Sequence, residues 1–194
     1  MINVVVEGQS DEQMARTVVR AAGRSVDRLV IKRGKNRLDP SIRNYNRAAQ
    51  HAPWVVFRDS DTQCPVKLHA RLTRGIAPIS PGLLLRIVHP MSEGWLMSDR
   101  RGFADYFKVR AVDVPLNPET LQNAKQTLLE LCSRSRSRAI RAEMVTATGQ
   151  TGPLYVTRIN EFAASAWSVE TAAASSDSLN RAIERIRQLP TTGR

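Results

Sequence analysis

Three short stretches of the chain set carboxylates directly behind apolar runs. Glu7 follows Ile2–Val6, Asp59 and Asp61 follow residues 54–58 as Asp-Ser-Asp, and Glu93 lies just past the apolar run at 83–89. Carboxylates are the hard oxygen donors that magnesium takes while keeping several of its waters, and an Asp-x-Asp pair at a strand end can turn two of them toward one ion. Crowding four of them without a cation is costly, because like charges a few ångströms apart raise one another's pKa. The pattern predicts a magnesium site, with manganese as a substitute, built on Glu7, Asp59, Asp61 and Glu93. A Glu-Gly dipeptide or an Asp-x-Asp taken alone reads equally well as a turn or a helix cap. Two apolar strands that both end in carboxylates, each followed by a helix, point to a metal.

The elements that must position these groups can be read from apolar periodicity. Ile2–Val6 is β-branched and apolar without alternation, the pattern of a strand covered on both faces of a parallel sheet. Gly8 and Gln9 break it. Ser10 is expected to cap a helix with Gln13 at capping-box spacing, and Met14, Ala15, Val18 and Ala22 recur at helical intervals until Gly23. Asp11 and Glu12 then fit the favourable field of that helix start, which leaves Asp11 as a lesser candidate for the site beside Glu7. Residues 28–32 read as a second strand and 33–38 as a basic loop, with Asp39 before Pro40 as the cap of a helix carrying Ile42, Tyr45 and Ala49. Residues 54–58 form the third strand, followed by a helix with Val66, Leu68 and Leu72. Residues 83–89 form the fourth, followed by a helix capped by Ser92 and containing Glu93, Trp95, Leu96 and Asp99.

Four strands alternating with helices predict an α/β domain with a mainly parallel sheet over residues 1–115. In such sheets functional groups gather outside the carboxyl ends of the strands, where loops and helix starts leave a crevice. Beyond residue 116 strand signals stop. Helices are expected over 118–132, 154–167 and 178–189, with a turn or linker at 172–178, so residues 116–194 form a helical carboxy-terminal portion packed on the sheet.

The chain of 194 residues carries 29 Lys and Arg against 18 Asp and Glu, a formal charge of +11 that favours a polyanion as partner. Most of that charge is arginine, whose planar fork suits phosphate, which points to nucleic acid. Lys32, Arg33, Lys35 and Arg37 in the loop after the second strand, and Arg58 just before the acidic pair, are the expected phosphate contacts. A solvated basic loop is the plainer account of the same residues. The run at 133–141, SRSRSRAIR, reads either as a phosphate contact or as a solvated helix face. Cys64 and Cys132 are far apart and suggest neither a disulfide framework nor a zinc module. No apolar stretch approaches the ~20 residues of a membrane span and the amino terminus lacks a signal peptide, so no membrane partner and a cytoplasmic location are expected.

The segments VVVEGQSDE and VVFRDSD resemble the two signature motifs of the Toprim (topoisomerase–primase) superfamily, and RIVHPMSEGWLMSD, GPLYVTRINEF and SDSLNRAIERI resemble small stand-alone Toprim-like proteins associated with mobile-element and defence loci. The superfamily motifs lie in the first third of the chain; the looser likeness spans most of it. The resemblance implies a compact Toprim-like sheet of four mainly parallel strands flanked by helices, a magnesium site and phosphodiester chemistry. Glu7 would be the acid/base glutamate, Asp59 and Asp61 the metal-binding pair, and Gly8 the residue that permits the turn presenting Glu7. The acidic residues that many Toprim enzymes carry after the pair are replaced here by Thr62, Gln63 and Cys64, leaving Glu93 or Asp99 as the further ligand.

The function expected is a metal-dependent nuclease acting on DNA or RNA. The alternatives are a catalytically silent module that binds nucleic acid or a protein partner such as an ATPase, and a ribonuclease acting on structured RNA, given the similar size of the small Toprim ribonuclease that trims ribosomal RNA precursors. His51, His69 and His89 show no zinc spacing, and only His89 falls near the expected rim, where it is a candidate helper. Trp54, Trp95 and Trp167 sit in apolar patterns and are read as core. Ser60 is read as a turn residue.

Overall fold

The computed structural model describes residues 1–191, with residues 192–194 of the expected carboxy-terminal portion outside them. Fifteen elements follow in order: β1 (Ile2–Val6), α1 (Glu12–Ala21), β2 (Val26–Ile31), α2 (Lys35–Leu38), α3 (Ile42–Ala48), β3 (Trp54–Asp59), α4 (Pro65–Thr73), β4 (Leu83–Val88), α5 (Ser92–Ser98), α6 (Arg100–Phe107), α7 (Ala124–Ser133), α8 (Arg138–Met144), α9 (Tyr155–Ser165), α10 (Val169–Ala174) and α11 (Asp177–Arg187). The four strands form one sheet in the order β2-β1-β3-β4, every pair parallel. The expected α/β class with a parallel sheet is what forms, and the helical remainder follows it.

Strand alternation divides the interior in two. Val4, Val6, Val55, Phe57 and Val88 point into a large core shared with α1 and the carboxy-terminal helices; Val5, Val56, Leu85 and Ile87 point into a smaller one closed by Leu38, Ile42 and Leu68. Both faces of β1 are therefore dry, which is why its five residues are apolar or buried throughout. Trp95, Phe103, Phe107, Phe162, Leu179 and Ile186 fill the large core, and Trp54 and Trp167 are buried too, so the tryptophans pack as expected. No helix among the described residues is long and apolar enough to cross a membrane.

Several local expectations are corrected. Ser10 makes no cap; Asp11 instead accepts from Gly8 N at 2.8 Å, and the Gln13 amide is taken by Asn160 Oδ1 at 3.0 Å, from α9. The basic loop holds the short helix α2. The helix expected over 118–132 is split, because Leu121 is extended and Asn123 starts a new cap by accepting from Gln126 N. The expected linker at 172–178 contains the end of α10, with Ala172 buried and Ser176 capping α11. Val66, expected inside, is 77% exposed. In the serine and arginine run Arg134, Arg136 and Arg138 are exposed, while Ser135 is buried and donates to Phe107 O at 2.6 Å and Ser137 caps α8.

Candidate functional site

Parallel pairing brings the carboxyl ends of β1, β3 and β4 to one edge. Backbone bonding continues past the strands, with Lys32 N on Val6 O at 3.0 Å, Gly34 N on Glu7 O at 2.9 Å, Ser60 N on Val88 O at 2.7 Å and Asp61 N on Pro90 O at 3.0 Å. Glu7, Asp59 and Asp61 are thereby fixed on adjacent chain ends, and Asp61 adopts a left-handed backbone with φ of 53°.

The period of two then sorts their side chains. Val6 faces the large core, so Glu7 falls on the opposite side, where it meets Arg58; Asp59, one residue after Arg58, falls on the large-core side. Two groupings result. On the first, Arg58 is 1% exposed and its guanidinium reaches Glu7 Oε2 at 3.4 Å, Asp39 Oδ1 at 2.9 Å and Asp61 Oδ2 at 3.4 Å. It also donates to the Asp59 carbonyl. Lys35 Nζ holds Asp61 Oδ2 at 3.0 Å.

On the second, Ser92 is the hub. Its amide donates to Asp59 Oδ1 at 3.2 Å and its hydroxyl to Asp11 Oδ1 at 2.7 Å, with Glu93 Oε2 at 3.4 Å. A hydroxyl has one proton, so the nearer carboxylate takes it. Tyr155 OH donates to the other Glu93 oxygen at 2.6 Å.

The carboxylates of this second grouping, unlike those around Arg58, have no ion-pair partner among the described residues. Burial, then Asp11 and Glu93, push Asp59 well above the usual aspartate range. Burial and Glu93 push Asp11 up to about 6 against the bonds from Ser92 and Gly8. Burial raises Glu7 as well, in spite of Arg58. The donors are all oxygens, and Glu7 Oε2 is a buried atom with no hydrogen bond, so the chemistry of the set fits a hard divalent cation. Among the described residues no three of His, Cys, Asp and Glu already stand together as a metal cage. Arg58 engages Glu7 and Asp61, and Ser92 and Tyr155 engage Asp11 and Glu93, so a cation would enter by exchanging these partners.

The expected residues are thus distributed unevenly. Gly8 contributes its amide to Asp11. Glu93 is at the cluster, whereas Asp99 is not: it caps α6 by accepting from Gly102 N at 3.1 Å and also takes Ser168 N at 2.8 Å. Asp11, assigned to a helix field by its position, is a buried member of the cluster. Arg58, expected as a phosphate contact, is interior and committed to carboxylates. Lys32 leans on Tyr45 at 5.7 Å from the ring centroid, while Arg33, Lys35 and Arg37 are exposed beside the rim. His89 Nδ1 lies 2.8 Å from Ser60 Oγ, so Ser60 is more than a turn residue.

Three partners escaped the sequence. Ser92 was expected to cap α5 but is its first residue, and Asp39, expected to cap through its side chain, pairs with Arg58 instead. Tyr155 carries no sequence signal that would tie it to Glu93. Comparison of the chain with protein-family models, with curated proteins and with solved structures gives no match in any of the three.

Proposed function

We propose that this protein is a metal-dependent nuclease that hydrolyses phosphodiester bonds at the edge formed by Glu7, Asp11, Asp59, Asp61 and Glu93. The observation that carries the reading is the gathering of Asp11, Asp59 and Glu93 at Ser92 with no ion-pair partner among the described residues, a charge deficit that a divalent cation would relieve. The resemblance of VVVEGQSDE and VVFRDSD to the Toprim motifs supports the same assignment. Asp11, Asp59 and Glu93, the three carboxylates that meet at Ser92, would hold the ion, with Asp61 beside them. Magnesium, when bound, neutralises charge on the scissile phosphate and lowers the pKa of its water. Glu7, whose pKa is raised by burial, is suited to move a proton near neutrality. The exposed Arg33, Lys35 and Arg37 flank the rim on the side where a strand's phosphates would lie.

The test is cleavage of single-stranded, duplex and structured DNA and RNA by purified protein with magnesium or manganese. Glu7→Gln and Asp59→Asn should each lower cleavage by about 100-fold or more while circular dichroism stays unchanged. Undiminished cleavage by either variant refutes the assignment. One observation favours a second reading, a silent nucleic-acid-binding module: Arg58 already supplies a cation to Glu7, Asp39 and Asp61. Salt-sensitive binding without metal-stimulated turnover on any substrate would establish that reading in place of the first.

A further inference from the structure

The strand at the end of the sheet, β4, borders a cavity of about 460 Å³ between α4 and α11, the size of a small-ligand site. Its polar lining is Arg86, Arg181, His69, His89, Ser178 and a single carboxylate, Glu119. Arg86 is half-buried and incompletely partnered. Its Nη2 donates to Ser178 O at 2.6 Å, but its Nε is buried with no acceptor. Glu119 makes no hydrogen bond to it; its Oε1 accepts from Ser176 Oγ and from Ser178 N at 2.7 Å. Arg181 has only an exposed pairing with Asp177 at 3.5 Å, weak at such a surface. Burial and the neighbouring Arg181 push the Arg86 pKa down to about 10 against the nearby Glu119 charge, which leaves it charged at neutral pH.

The rest of the wall is different in kind. Val66, 77% exposed, stands at the cavity with Pro65, forming an apolar surface across from the two guanidinium groups, while Leu85 and Ile87 show the cavity only their margins. As an end strand, β4 also leaves outward backbone groups without a strand partner, able to bond a ring edge. An anion-binding corner, an apolar face for a flat ring and free backbone groups together suit a nucleotide better than a bare anion. His89 joins this cavity to the carboxylate edge, because it lines the cavity and bonds Ser60, the residue between Asp59 and Asp61.

The geometry points to a nucleoside monophosphate site in this cavity, with Arg86 and Arg181 holding the phosphate and Pro65 and Val66 receiving the base. The occupant is the phosphorylated end of a nucleic-acid strand or a free mononucleotide. The strand-end form rests on the nuclease reading above, since His89 and Ser60 link the cavity to Asp59 and Asp61.

The experiment is titration of the full chain in EDTA, by calorimetry or amide NMR, with a nucleoside 5′-monophosphate, the matching nucleoside, inorganic phosphate, and one oligonucleotide bearing a 5′-phosphate, a 3′-phosphate or neither. The monophosphate should bind about ten-fold or more tighter than nucleoside or phosphate alone. Arg86→Gln should weaken it about ten-fold, the loss expected for one charge-assisted hydrogen bond. Arg181→Ala and Val66→Glu lie on exposed positions and keep the test valid where Arg86→Gln unfolds; both should weaken binding in the same direction. A terminal phosphate that tightens the oligonucleotide assigns the pocket to strand ends, and indifference to it assigns the pocket to free nucleotides. No saturable monophosphate binding, equal affinity for inorganic phosphate, or affinity unmoved by Arg181→Ala and Val66→Glu together overturns the site. Metal-free binding separates the two readings: binding without cleavage sinks the nuclease and keeps the pocket, and cleavage without binding does the reverse.

Discussion

The hydroxyl of Tyr155 donates to Oε1 of Glu93 at 2.6 Å, joining the first residue of α9 to the first turn of α5 across 62 positions of sequence. Both groups are buried, and burial together with Glu93 raises the Tyr155 pKa well above its usual value, so the phenol remains a donor. Removing it strands one oxygen of a buried carboxylate. Tyr155→Phe should therefore lower stability by about 1–3 kcal/mol in metal-free buffer. Urea denaturation measures this, and the loss should shrink when Glu93 is already Gln, the signature of direct coupling. Equal losses in both backgrounds would mean that the two residues do not act as a pair.

Arg58 is the cation on which three carboxylates converge. With Met in its place, Glu7, Asp39 and Asp61 lose it, and breaking so enclosed an arrangement costs about 3–5 kcal/mol. Magnesium should return part of that loss, so its stabilising effect should be larger in Arg58→Met than in the wild type. Thermal denaturation of both proteins with and without magnesium decides it. A variant that gains no more from the ion than the wild type would show that these carboxylates do not gather around a metal.

Stability should fall as the pH rises toward neutrality. Folding moves Asp11 from 3.8 to about 6, and Asp59 and Glu7 shift upward too. An acid raised by folding favours the folded state while protonated; that contribution is complete below its unfolded pKa and is lost as pH climbs through the folded value. Metal-free protein should then be about 1–2 kcal/mol more stable near pH 5 than near pH 7.5, the order expected for one such shift. Asp11→Asn should flatten the profile, as should magnesium in the wild type. Guanidinium titrations in EDTA at the two pH values test the sign, and greater stability at the higher pH would contradict it.

The sheet was legible because its rule is local: Ile2–Val6, 54–58 and 83–88 are short apolar runs, and a strand dry on both faces can be little else. The convergence of Glu7, Asp59 and Asp61 on one edge follows from parallel pairing of β1 with β3. What local pattern could not convey was the face on which each carboxylate lands. Glu7 and Asp59 both trail a strand, yet alternation places them on opposite sides, so Arg58 faces Glu7 and Ser92 faces Asp59. Asp11 was obscured for a related reason. Its place at a helix start explains its charge fully, and only the packing of α5 against it reveals that it is buried beside Glu93. Asp99 shows the converse, an acidic residue near the site in sequence whose capping duty takes it elsewhere.

The reach of α9 back to the amino terminus sets an order of events at the ribosome. Asn160 Nδ2 donates to Gln9 O at 2.9 Å, its Oδ1 takes the Gln13 amide, and Tyr155 steadies Glu93. Glu7 and Asp11 are translated well ahead of the helix whose groups brace their turn and complete their cluster. A nascent chain with all four strands emerged still lacks these clasps. The carboxylate edge is finished only once α9 has emerged, which keeps a chain that lacks this helix from carrying a complete cluster.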